Sequence, residues 1–199
     1  VNKKEELLYG ISMMYNQTPE LRFIWLRQLA NLHLQNMQFS EAAECYSRIL
    51  ATVFQHLQRI NSNLINGLPL DYFYSVVSTS VRKEVQQQEI VSIPCFGPFW
   101  LCLLAHCLLH ILHCIHHVHI LTPNQFYIVF SLSGSDFSES GIISLLCTII
   151  EFHNLAEQYE HMIPLTQLLI RLLQKVGDYS NLSRSHIQIG KAYSLIEKS

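Results

Sequence analysis

The sequence predicts a mainly α protein, an antiparallel array of about six to eight helices arranged as αα-hairpins around an irregular central insertion. Three observations predict it. Apolar residues recur every three or four positions over most of the chain, capping residues and glycines punctuate those runs at short intervals, and no strong alternating pattern competes with them. With 199 residues and 49% hydrophobic content, the chain can build one domain with a substantial core.

The first helix is carried by Leu7, Leu8, Ile11 and Met14. Thr18 is placed to cap the second, with Pro19 at its first position and Leu21, Ile24, Trp25, Leu29 and Leu32 as its apolar face. Ser40 with Glu41 starts the third, whose face is Ala42, Cys45, Tyr46, Ile49, Val53 and Leu57. Only residues 36–39 separate the second helix from the third, so the two pack as a hairpin. Residues 61–69, polar and carrying Gly67 and Pro69, end the third helix.

Residues 71–89 read as one mixed helix, weakened by Ser75, Ser78, Thr79 and Ser80. Residues 90–135 contain no Asp, Glu, Lys or Arg, and FYIVFSL within them suggests an extended piece. Helical signals then return. Ser138, Glu139 and Ser140 precede the run IISLLCTIIEFHNLAEQYE; MIPLTQLLIRLLQKV follows and stops at Gly177; YSNLSRSHIQIGKAYSLIEK closes the chain behind a cap at Asp178. Pro164 predicts a kink in the penultimate helix or its start one turn later.

Composition excludes several functions. A net charge of -2, with 13 Lys and Arg spread thinly, gives nucleic acid no basic face to bind. The six cysteines lack the spacing of a secreted disulfide framework and read as reduced thiols in a cytoplasmic protein. The N-terminus is no secretory signal and does not begin with Met, which suggests a piece of a longer chain. No phosphate loop, nucleophile elbow or CxxC pair occurs, so no catalytic residue and no cofactor are expected. Glu41, Glu44, Glu151, Glu157 and Glu160 fit solvated helix faces and a cap better than paired catalytic carboxylates.

HCLLHILHCIHHVHI is the exception to this plainness. At ~100° per residue, Cys102, His106, His110, His113 and His117 share one face of a helix, and HxxxH is a spacing used by metal sites on helices. Against a metal, ligands spread over ~22 Å cannot converge on one ion, and no acidic residue orients the rings. FWLCLLAHCLLHILHCI also approaches the ~20 residues of a membrane span, yet a single span would separate two blocks that look like one array. The preferred reading is an insertion in the linker between two helical blocks, with no catalytic role, which packs on the lobe, on a neighbouring subunit or on a membrane; surface association of an amphipathic helix stands beside it.

The stretch LLYGISMMYNQTPELRFIWLRQLANLHLQNMQFSEAAECY resembles the start of the DOCKER domain of DOCK-type guanine nucleotide exchange factors for Rho-family GTPases, and most of all the zizimin group. The resemblance rests on Leu8, Tyr9, Tyr15, Pro19, Glu20, Leu21, Arg22, Trp25, Leu26, Ala30, His33, Ser40, Glu41, Ala42, Ala43 and Cys45. A second block carries it through Leu145, Leu146, Ala156, Tyr159, Glu160, Asp178, Tyr179, Leu182, Ala192, Tyr193 and Ser194, and ILTPN resembles part of the linker between them.

The resemblance implies that residues 1–199 are a single helical lobe, the first of that domain, with a block over 1–60, a variable insertion over about 61–124 and a second block over about 138–199. It implies that the GTPase is engaged by downstream lobes, that this lobe supports them without being catalytic, that the full protein forms a homodimer, and that it is cytoplasmic with recruitment to membranes. Two other readings of the residues stand beside it. One is a free-standing TPR-like adaptor, with Trp25, Leu29, Ala42, Ala43 and Cys45 lining a peptide groove; the same residues serve as the packed seam of one hairpin, and no second copy recurs at about 34 residues. The other is a metal-binding or membrane-associated protein defined by His106, His110, His113 and His117.

Overall fold

The computed structural model describes residues 3–90 and 135–198. Among them are eight α-helices and no strand: α1 (Lys3–Met14), α2 (Pro19–Gln35), α3 (Phe39–Arg59), α4 (Asp71–Val76), α5 (Thr79–Ile90), α6 (Glu139–Leu155), α7 (Tyr159–Val176) and α8 (Tyr179–Ile196). The histidine-rich stretch, the apolar run before it, FYIVFSL and ILTPN lie outside the described residues. The array is mainly α, as the periodicity required.

The central element is α3. Residues 49–55, two full turns, are buried on every side. It packs on α2, α5 and α6; α1 lies on α2, α7 on α6, and α4 and α8 on α7. The main core runs from Phe23 and Leu26 through Ile49, Leu50, Val53 and Phe54 to Ile142, Leu146, Leu165 and Leu169. A second cluster, Leu8, Leu29, Ala30, Leu32, Ala42 and Cys45, seals α1 against the α2–α3 hairpin. Ala42 and Ala43 are fully buried, so the small residues form the seam between helices and not the floor of a peptide groove.

Three helix junctions use one turn. Met37 (φ 58°), Glu157 (φ 57°) and Gly177 (φ 80°) are left-handed, and the next residue donates its N–H to the carbonyl five positions back: Gln38 to His33 (2.9 Å), Gln158 to His153 (2.9 Å) and Asp178 to Leu173 (3.1 Å). Each is a Schellman ending whose last residue is also the N-cap of the next helix, and each next helix opens on an aromatic residue: Phe39, Tyr159 or Tyr179. The recurrence lies in the turn and has no 34-residue period.

Several sequence expectations need correction. On α1 Leu8 is buried as expected, but Leu7 and Met14 are exposed and Ser12 is buried. Thr18 caps α2 by position but its side chain makes no capping bond. The cap of α3 is Gln38, and Ser40 lies inside the helix. Residues 71–89 form two helices, because Val77 is extended (ψ 148°) and the Ser78 side chain accepts from the N–H of Val81 at 3.3 Å. The long run through Tyr159 is broken at Glu157, and α7 starts at Tyr159, five residues before Pro164 instead of after it. The proline's missing N–H would have bonded the Glu160 carbonyl, so it costs a single bond near the helix start. Gly177 and Asp178 act as expected, Asp178 accepting the Asn181 N–H at 3.1 Å.

Both ends of the central segment are fastened to α2. Arg22 binds Glu84 of α5, while Arg27 binds Asp136 at 2.7 Å and Phe23 stacks on Phe137 at 5.8 Å. On α7, the Lys175 ammonium donates to the carbonyls of Asn63, Leu64 and Asn66, at 2.5, 3.2 and 3.2 Å, and so holds the loop after α3.

Gly141, in the first turn of α6, lies against the returning chain: a Cβ there would sit 2.0 Å from the Ser135 carbonyl oxygen. Gly141→Ala is expected to lower unfolding free energy by about 1–3 kcal/mol in urea denaturation. Gly190→Ala, in α8 with open space around it, is expected to raise it by up to ~1 kcal/mol.

Candidate functional site

The most concentrated polar chemistry among the described residues is a buried charge cluster joining four helices. Glu84 of α5 accepts from Arg22 Nη2 (2.6 Å) of α2, from Arg48 Nε (3.0 Å) of α3 and from the Tyr9 hydroxyl (2.7 Å) of α1. Arg22 is 1% exposed and also donates to Asn16 Oδ1 at 2.6 Å, while its Nε is buried with no partner among the described residues. Burial lowers the Arg22 pKa against the attraction of Glu84. For Arg48 burial acts the same way, but Glu84 and Glu44 outweigh it and raise the value. Tyr9 is raised, first by burial and then by Glu84. Glu44 bonds Arg48 at 3.1 Å and accepts from Ser78 and Ser80, so it is not simply a solvated acid.

This cluster ties α1, α2, α3 and α5 together. Burial pushes the neighbouring Cys45 thiol up to about 12, which keeps it protonated. No group of three or more His, Cys, Asp and Glu among the described residues is placed to hold a metal ion.

The residues singled out in the sequence separate into distinct places. Arg22 enters the charge cluster. His33, Glu41 and Cys45 meet Tyr9 and Arg48 around an open cleft of about 500 Å³ between α1, α2 and α3. Leu21 and Trp25 are half-buried on α2, and Ala42 and Ala43 are core. Tyr159, Glu160 and Asp178 open α7 and cap α8, whereas Tyr193 is exposed on α8. His106, His110, His113 and His117 lie outside the described residues. Glu84 and Arg48 escaped the sequence reading, since each looks like an ordinary exposed helix charge; the only signal was that Glu84 shares a weakly apolar helix with Val81.

A second polar cluster occupies the α6–α7 turn. His153 is buried, with Nδ1 2.8 Å from Gln158 Oε1, and its ring meets His161 edge-on at 5.2 Å. The same His-x4-Gln pairing recurs at His33 and Gln38, 2.9 Å apart. Burial, followed by the nearby His161, lowers the His153 pKa against the Gln158 bond that raises it.

Capped hairpins packed in antiparallel pairs and tied by a buried charge cluster define, among the described residues, an all-α helical array. The family model described as DHR-2, Lobe A matches residues 6–198, and the chain belongs to that family. It is 25% identical over 191 residues to dedicator of cytokinesis protein 8 of Mus musculus, and 24% identical over 196 residues to dedicator of cytokinesis protein 9 of Homo sapiens; each alignment covers 96% of this chain and 8% of the relative. A stretch of 59 residues, 30% of the chain, is 41% identical to dedicator of cytokinesis protein 9 of Rattus norvegicus. The chain thus spans about 8% of the length of these relatives, and identities of 23–25% to proteins 7, 8 and 9 single out no subgroup.

Removing the Glu84 carboxylate takes from the buried Arg22 guanidinium its carboxylate partner and from Arg48 one of two, so Glu84→Ala is expected to cost about 3–5 kcal/mol in chemical denaturation, and Glu84→Gln less. A loss below about 1 kcal/mol, the scale of an exposed pair, would show that the cluster is not a structural clamp. For His153 the native pKa lies below the unfolded 6.5, so below that pH the unfolded chain binds the extra proton. Stability is expected to be full above pH 6.5 and to fall as the pH drops toward the native value. Thermal melts should show a shallower acid slope in His153→Asn than in the parent.

Proposed function

We propose that this chain is the scaffold lobe of a guanine nucleotide exchange factor for a Rho-family GTPase of the zizimin type, and that it supports downstream lobes which carry the exchange chemistry. The observation behind this reading is the state of α8. It packs chiefly on α7, buries only Ser185 and Ala192, and leaves Tyr179, Ile187, Tyr193 and Leu195 between 41 and 76% exposed. A helix so thinly covered at the end of an array suits a neighbour on its open sides.

In this reading the GTPase meets the downstream lobes, the full protein is a cytoplasmic homodimer recruited to membranes, and no cofactor is held here. The described residues contain no helix long and apolar enough to cross a membrane.

The test is release of a fluorescent guanine nucleotide from a panel of Rho-family GTPases, with this chain alone and with it joined to the further lobes of the family's exchange region. Release is expected only from the joined form. In that form Ile187→Ser with Tyr193→Ser should reduce exchange, while the stability of the lobe alone changes by no more than about 0.5 kcal/mol. Acceleration by this chain alone would overturn the proposal.

A further inference from the structure

The cleft between α1, α2 and α3 adjoins the clamp, sharing Tyr9, Glu44 and Arg48 with it, and lies apart from the exposed sides of α8. Its floor is Tyr9, Leu29 and Cys45, and its rim carries Glu6, Glu41 and Glu44. The single rim cation, Arg48, is already spent: it bonds Glu44, Glu84 and Ser80 (3.1, 3.0 and 2.7 Å) and lies 5.4 Å from the Tyr9 ring centre. His33 also lines the cleft while only 9% exposed. Its Nδ1 lies 2.9 Å from Gln38 Oε1. The groups with capacity to spare around the apolar floor are therefore carboxylates.

We propose that this cleft docks a basic, amphipathic polypeptide segment of a partner, one that sets an aliphatic side chain on Leu29 and Cys45 and places flanking Lys or Arg ammonium or guanidinium groups on Glu6, Glu41 and Glu44. The acceptor set selects a donor carrying positive charge, and the apolar floor selects a polypeptide over a bare cation. The central segment of this chain cannot be the occupant by this chemistry, since residues 90–135 contain no Lys or Arg. Glu6 and Glu41 are exposed helix positions, so their charge can be removed without disturbing the core.

The probe is the fluorescein-labelled hexapeptide acetyl-KLKKLK-amide, titrated with the full chain and followed by anisotropy; ELEELE and SLSSLS peptides serve as charge-reversed and neutral counterparts. Saturable binding of the lysine peptide alone is expected. It should weaken about tenfold in Glu6→Gln/Glu41→Gln, weaken with added salt, and stay unchanged in the folded control Glu151→Gln/Glu160→Gln. No binding, equal binding of SLSSLS, or equal weakening in the control pair would overturn the proposal. Self-association lost in Glu6→Gln/Glu41→Gln without peptide binding would also overturn it, assigning the cleft to a second copy of the chain.

Discussion

Burial of α3 on all sides is the constraint on which the rest of the lobe depends. A helix with residues 49–55 out of water cannot be covered by one neighbour, so α2, α5 and α6 must surround it. Its polar residues survive there because each is satisfied: Thr52 donates to the Arg48 carbonyl at 2.9 Å, and Gln55 Nε2 to the Val85 carbonyl at 2.9 Å. The Gln55 bond reaches across to α5, so even the satisfaction of the central helix fixes a neighbour.

Polar and apolar contacts divide the work by element. α6 and α7 dock through Ile142, Leu146, Leu165 and Leu169, a non-directional contact that tolerates exchange of one aliphatic residue for another. α5 is short and little apolar, and docks through Val81 and the clamp on Glu84. A buried ion pair adds little net stability over an apolar pair of the same shape, but loss of one partner is costly, so it fixes which helix sits there more than how tightly. Together with Arg27 and Asp136, the clamp brings both ends of a charge-free segment onto α2. Blocks at the two ends of the chain can therefore form one lobe whatever length lies between.

The recurring turn has a comparable economy. In the His33–Gln38 and His153–Gln158 turns, the cap side chain contacts an imidazole of the preceding helix, and in the third a glycine and an aspartate do the work through backbone and Asn181. Met37 and Glu157 accept left-handed backbone without glycine, a strain of about 1 kcal/mol offset by carbonyls satisfied at the helix end.

Much of this was legible in the sequence. The three-to-four spacing located α1, α2, α3, α6, α7 and α8, Gly177 and Asp178 marked their junction, and the pattern around Arg22, Trp25 and Ala42 pointed to the family to which the chain belongs. These features are local or periodic, and neighbouring residues alone determine them. What the sequence could not show is which charges are buried. Glu84 lies 62 residues from Arg22 and 75 from Tyr9, and nothing near any of them announces the meeting. Nor could it show that Ser47, Thr52 and Gln55 are inside, or that the run through Tyr159 breaks at Glu157. Periodicity decided that helices form and which stripe of each is apolar; only packing in three dimensions decided which polar groups lose water together, because that depends on partners far away in the chain.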